Sequence, residues 1–212
     1  VLLYSNDELK TVFLQLLSGY AADQASAQTL WEEIAQAYGS KKRHYHNLAH
    51  LAHLYAQLLA VKTLLNDWDC ALFALFYHDV VYKVHKTDNE EKSAELAVKQ
   101  LKQLGAPLEI IDKCQALILA TKTHVNSTDP DVNLFTDADL SILGADWEVY
   151  ADYSQKIRRE YAVYPDLLYL PGRKKVLKHF LDMERIFKTD FFFERYEKTA
   201  RENLTREMNL NV

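Results

Sequence analysis

Glycine and proline are scarce in this chain, five and four in 212 residues. Tight turns and irregular loops lean on those two residues, so the scarcity favours long helices. Cysteine is nearly absent: Cys70 and Cys114 each sit in an apolar run, which excludes a disulfide framework and predicts two buried thiols in a reducing compartment. No apolar run approaches the roughly 18 residues of a membrane span. The opening Val1 to Tyr4 gives way to Asn6, Asp7 and Glu8, too short a run for the apolar region of a signal peptide. A basic excess is missing too. Net charge is -5 and the pI is near 5.9, so long nucleic acids are not expected partners. The expectation is a cytoplasmic protein without membrane contact, a monomer or homodimer, whose partner is a small molecule.

With hydrophobic residues at 49% and charged residues at 26%, the chain has a globular profile, and its length suits one domain over 1–212. The patterning is helical nearly throughout. Leu9, Phe13, Leu16 and Leu17 follow helical spacing after a cap at Asn6 or Asp7, and Leu30, Ile34 and Tyr38 do so after Ser26, with Gly39 as the stop. Leu48, Leu51, Leu54, Tyr55 and Leu58 mark a helix to about Val61, and Asp67 caps a segment apolar on all sides, which belongs in the middle of a fold. Asp88 and Glu91 have the spacing of a capping box, Gly105 ends that helix, and Pro107 opens the next, which runs to about Thr123 and His124.

Asp129-Pro130-Asp131 reads as turn chemistry, Phe135 to Gly144 as a short helix, and Asp146 as the start of a longer one. Pro165 to Gly172 reads as the longest irregular segment, followed by helices around Val176 to Leu181 and after Thr189 or Asp190. No strand is expected, and the fold class is all-α.

The chemistry centres on Phe76 to Tyr82, where His78 and Asp79 stand side by side at the end of the most apolar helix. Two ligand-type side chains in such a setting cost desolvation energy unless something pairs with them, and a divalent metal would. Upstream, His44, His46, His50 and His53 crowd into ten residues, with His46, His50 and His53 expected on neighbouring faces of one helix. Downstream, Asp137 and Asp139 are two apart, so one faces inward. Asp139 shares its side with Ile142 and Leu143 and is taken as the ligand, whereas Asp137 sits where an N-cap is wanted. Imidazole and carboxylate together suit Mn, Fe, Co, Ni or Zn, with Mg conceivable at a second site. A water acidified by such an ion attacks a phosphate ester, and His46, one turn before His50, is placed to protonate the leaving oxygen.

His50, the His78-Asp79 doublet and Asp139, in that order and on helices, resemble the ligand set of the HD-domain phosphohydrolases. The stretches Arg43 to His50, Phe76 to Tyr82, Asp88 to Ala94, Ala120 to His124 and Asp137 to Gly144 resemble a bacterial group described as predicted metal-dependent HD-superfamily phosphohydrolases. Tyr45 to His50 and Ala138 to Ser141 are more distantly similar to cyclic-nucleotide phosphodiesterases. The resemblance implies an HD-type helical bundle with additional N- and C-terminal helices, its motif-bearing core at about 40–147. It implies His50, His78, Asp79 and Asp139 as metal ligands, with His46 and Asp79 at the reaction centre. By analogy with the phosphodiesterases Asp79 could bridge to a second ion, for which His85, His124, Glu91 and Asp137 are second-metal or supporting candidates; one ion is favoured.

Lys122, His124, Arg158 and Arg173 are candidates to grip phosphate oxygens, the arginines through their bidentate fork. The expected activity is hydrolysis of a phosphate ester on a small nucleotide-like or other phosphorylated metabolite. Two competing classes remain, a metal- or nucleotide-binding regulatory module without turnover and a di-iron oxygenase.

Overall fold

A computed structural model describes residues 4–210. Among the described residues there are ten α-helices, two short 3-10 turns and no strand, so the protein is all-α. The chain divides into two compact units at Thr136 and Asp137, where a single domain with a core at 40–147 is expected from sequence.

The first unit holds α1 (Asn6–Leu17), α2 (Gln24–Tyr38), α3 (Leu48–Ala60), α4 (Trp68–Tyr77), α5 (Asn89–Gln103) and α6 (Leu108–Ala120). Helix α4 is its axis. Every residue from Cys70 to Tyr77 is buried, and α1, α3, α5 and α6 all pack on it, as an all-round apolar helix requires. Phe76 stands edge-on to Phe13 with ring centroids 4.8 Å apart, and Phe73 likewise meets Tyr20 at 5.1 Å. Burial of each such ring contributes on the order of 1.5–3 kcal/mol. Cys70 and Cys114 are buried free thiols.

Small polar residues set where these helices start. Ser5 and Glu8 form a reciprocal capping box on α1. Asp23 caps α2 by accepting from the Ser26 N–H (2.7 Å), and Asp67 caps α4 by accepting from the Cys70 N–H (2.9 Å). The caps therefore lie one residue before the expected Asn6 and three before the expected Ser26. The capping box expected at Asp88 and Glu91 does not form, because the Asp88 side chain makes no cap hydrogen bond and Glu91 pairs with Lys122.

Helix α7 (Pro130–Leu140) begins in the first unit. Here the sequence misleads: Asp129-Pro130-Asp131 is a helix start and not a turn. Asp129 accepts from the Asp131 N–H (2.9 Å), and Pro130 occupies the first helical position, where its missing N–H costs nothing. Asp131 is fully buried and accepts from the Asn66 and Asp67 N–H groups and from Lys113.

The second unit contains the last residues of α7, a 3-10 turn over Ser141–Gly144, α8 (Trp147–Glu160), α9 (Asp166–Asp182) and α10 (Asp190–Leu210). Gly144 packs on α10, where an added Cβ would come within 2.6 Å of Tyr196 Cβ, so no larger residue fits there. Asn203 donates to the carbonyls of Leu143 and Ala145. The segment from Pro165 to Gly172, expected to be irregular, is the start of α9, with Pro171 inside the helix. A proline there forfeits the bond to the Leu167 carbonyl, and Leu167 is 85% exposed, so water can take that carbonyl.

Candidate metal centre

Asn47 begins the site. Its side chain accepts from the Ala49 N–H (2.9 Å) and donates to the His44 carbonyl (2.9 Å), which starts α3 at Leu48 and fixes the loop before it. His50 falls in the first turn of that helix, buried. His46 is not on the helix, contrary to the sequence expectation, because the Asn47 cap lies between them. It sits in the preceding loop, its ring stacked on Tyr82 at 4.3 Å and edge-on to Tyr45 at 5.0 Å.

The second arm is the end of α4. His78 caps it with helical angles, and its N–H still bonds the Ala74 carbonyl (2.8 Å). Beyond His78 the helix stops, so the roughly 100 degrees that separates neighbours on an ideal helix no longer keeps the doublet apart. His78 Nε2 and Asp79 Oδ2 lie 3.2 Å from each other. The Tyr38 hydroxyl accepts from the Asp79 N–H (3.2 Å).

Arg43 ties the two arms together. Its guanidinium donates to the Asp79 carbonyl (2.6 Å) and the Val80 carbonyl (2.8 Å) and lies over the rings of Tyr38 and Tyr82. Neither Arg43 nor Tyr82 is identified as a site residue from sequence. A cation amid Ser40 to His44 reads as solvated surface until the chain end it caps is known.

Three ligand atoms converge within this unit. His50 Nε2 is 3.1 Å from His78 Nε2 and 3.9 Å from Asp79 Oδ2, while His78 Nε2 and Asp79 Oδ2 are 3.2 Å apart. Atoms bound about 2.1 Å from one first-row ion are separated by roughly 3 to 3.4 Å, which the two shorter edges match. The His78 Nδ1 atom lies 3.0 Å from the Leu75 carbonyl. That carbonyl accepts only if Nδ1 carries the proton, which leaves Nε2 with its lone pair toward His50 and Asp79, the arrangement that orients metal-binding imidazoles. The donor set thus fits a divalent ion.

Burial alone would raise the Asp79 carboxyl, but His78 and His46, when protonated, more than reverse this and hold the group well below the usual carboxylate range. His46 Nε2 stands 4.0 Å from Asp79 Oδ2.

Asp139 is carried by α7. The Phe135 ring, in the first unit, stands edge-on to His78 at 6.0 Å. Asp139 follows one turn later on α7, in the part of that helix that belongs to the second unit.

The chain matches no protein-family model and no curated protein.

The other sequence candidates make contacts of their own. Lys122 donates to the Thr87 carbonyl (2.7 Å) and pairs with Glu91, pinning the loop before α5 to the end of α6. His124 closes α6 in a left-handed conformation (φ 53°), its N–H on the Ala120 carbonyl (3.0 Å). His85 is exposed in the loop after α4.

In the second unit Asp137 is fully buried, and it caps a different helix from the one expected. It accepts from the N–H groups of Lys188 (2.9 Å) and Thr189 (2.7 Å) and from the Thr189 hydroxyl (2.7 Å), just ahead of α10. Lys188 Nζ is buried 3.3 Å from the same carboxylate, and burial lowers its pKa. Arg158 is spent on Asp166 and on the Tyr161 and Tyr164 carbonyls. Arg173 is buried in a bidentate pair with Glu207 (2.8 and 2.9 Å). Both arginines therefore serve the packing of α8, α9 and α10.

Proposed function

We propose that the chain is a metal-dependent phosphohydrolase of the HD type, cleaving a phosphate ester of a small phosphorylated metabolite. The observation that carries this reading is the convergence of the His50 and His78 Nε2 atoms with the Asp79 carboxylate. It is supported by the hydrogen bond that turns the His78 lone pair inward. Asp139, whose sequence register with Ile142 and Leu143 marks it as the inward carboxylate, is proposed as the further protein ligand.

A divalent ion held by these residues supplies an acidified water and polarises a phosphoryl oxygen. The protein's own residues do the rest. Asp79, 3.2 Å from His78 Nε2, would offset part of the ion's charge as a carboxylate ligand. His46, one residue before the Asn47 cap and 4.0 Å from Asp79, donates the proton that the leaving oxygen needs. The Tyr45 and Tyr82 rings fix its plane, and Arg43 fixes the loop that carries it.

The test is phosphate release from a panel of phosphomonoesters, cyclic nucleotides and nucleotides with Mn, Mg, Co or Ni, on the parent chain and on His78→Ala and Asp139→Ala. Turnover that both substitutions abolish supports the assignment. Tightly bound iron with oxygen consumption would replace it with the oxygenase reading, and metal binding without turnover across the panel would replace it with the regulatory one.

A further inference from the structure

The chain carries more acid than base, 30 residues against 25, yet the two segments that bracket the candidate centre reverse that balance. Residues 41–46 contain Lys41, Lys42 and Arg43, residues 80–87 contain Lys83 and Lys86, and neither segment contains an Asp or Glu. Arg43 is consumed by the Asp79 and Val80 carbonyls. The four lysines are exposed, and among the described residues none of them forms an ion pair. In the same unit Lys92, Lys113 and Lys122 are paired with carboxylates, whereas Lys10, Lys62, Lys99 and Lys102 also form no ion pair among the described residues; what sets the four apart is their place in the two segments that bracket the candidate centre.

The backbone beneath these lysines is built and does not simply hang in solvent. Asn89 grips Lys83 from both sides, accepting from its N–H (3.0 Å) and donating to its carbonyl (3.1 Å), and the Lys86 N–H closes a turn on that carbonyl (2.9 Å). Lys122 ties down Thr87. The two segments are held together by Arg43 and by the His46 ring stacked on Tyr82, the residue before Lys83. Asp88 and Glu90 bound the basic rim on the side of α5. Ammonium groups without ion pairs, on backbone segments tied to the candidate centre, are suited to anions, whose oxygens they reach as flexible point charges.

We propose that Lys41, Lys42, Lys83 and Lys86 form a second anion subsite, so that the substrate class is a metabolite bearing two separated phosphates. The inference rests on the phosphohydrolase reading for the first phosphate, the one that reacts. The second is not cleaved; it anchors the molecule and orients the ester at His46 and Asp79.

The test is calorimetric binding to the full chain loaded with Mn, using matched pairs: adenosine 5′-monophosphate against adenosine 3′,5′-bisphosphate, and glucose 6-phosphate against glucose 1,6-bisphosphate. The expected result is a bisphosphate bound roughly tenfold tighter than its monophosphate in at least one pair, the sum of two or three partly screened charge contacts. The ratio falls toward one in high salt and in the combined variant Lys41→Gln, Lys42→Gln, Lys83→Gln, Lys86→Gln.

Equal affinities within both pairs, no binding of any of the four, or a ratio that the variant leaves intact would overturn the subsite. Because the ratio is read without turnover, it separates from the hydrolase reading. Monophosphate hydrolysis with a ratio of one removes the subsite and leaves the enzyme, whereas a salt-sensitive ratio without phosphate release supports the subsite alone.

Discussion

The Nε2 atoms of His50 and His78 face each other at 3.1 Å inside the first unit, both side chains buried. With the His78 proton on Nδ1, His50 can donate from Nε2 to the His78 Nε2 lone pair, or, with both Nε2 atoms deprotonated, the two lone pairs can face one divalent ion. The carboxylate of Asp79 lies where it would offset such an ion's charge.

His46 is expected to affect chemistry and not metal retention. His46→Ala should lower kcat by about 10²- to 10⁴-fold, the usual worth of a positioned proton donor, while the metal content per chain stays that of the parent. Steady-state kinetics at saturating metal, paired with elemental analysis, check this; unchanged kcat would remove the acid role.

Tyr82 is expected to act through His46. The ring stack at 4.3 Å is worth roughly 0.5–1.5 kcal/mol, so Tyr82→Ala should cost up to about tenfold in kcat, and Tyr82→Phe should retain more activity because it keeps the ring. The His46 ring resonances should move in the alanine variant and much less in the phenylalanine one. A purely structural Tyr82 would leave those resonances in place.

The buried Arg173–Glu207 pair predicts acid sensitivity in the second unit. Burial would raise the Glu207 carboxyl, but the Arg173 hydrogen bonds and charge reverse this and leave it lowered. A depressed carboxyl contributes stability above its unfolded value of about 4.5, and that contribution is lost as pH falls through the lower folded value. Thermal melts from pH 7 to pH 3 should show it in the parent and not in Glu207→Gln. Arg173→Ala, which strands a buried carboxylate, should cost about 3–5 kcal/mol, and the double change Arg173→Met with Glu207→Leu considerably less.

Much of this was readable in the residues. Helix content, the central place of α4 and the buried thiols follow from apolar spacing, because an apolar period reports burial directly. The prolines were harder. Asp129-Pro130 is equally good chemistry for a turn and for a helix start, and Pro171 lies inside a helix where Leu167, whose carbonyl it leaves without an N–H, is largely exposed. The His78-Asp79 doublet was conspicuous for its polarity in an apolar run, whereas Arg43 and Tyr82 gain their roles from a long-range fold-back that no local pattern encodes. Arg158, Arg173 and Asp137 illustrate the converse, since a charged side chain in a sequence does not disclose whether its partner is a ligand or another group of the protein itself.

The most direct test is to count metal. Elemental analysis and Mn or Co titration of the full chain should give about one ion per chain, lost in His50→Ala and in His78→Ala although both variants keep the helical circular dichroism of the parent. No stoichiometric binding by the parent chain, or binding that survives both substitutions, would contradict the account.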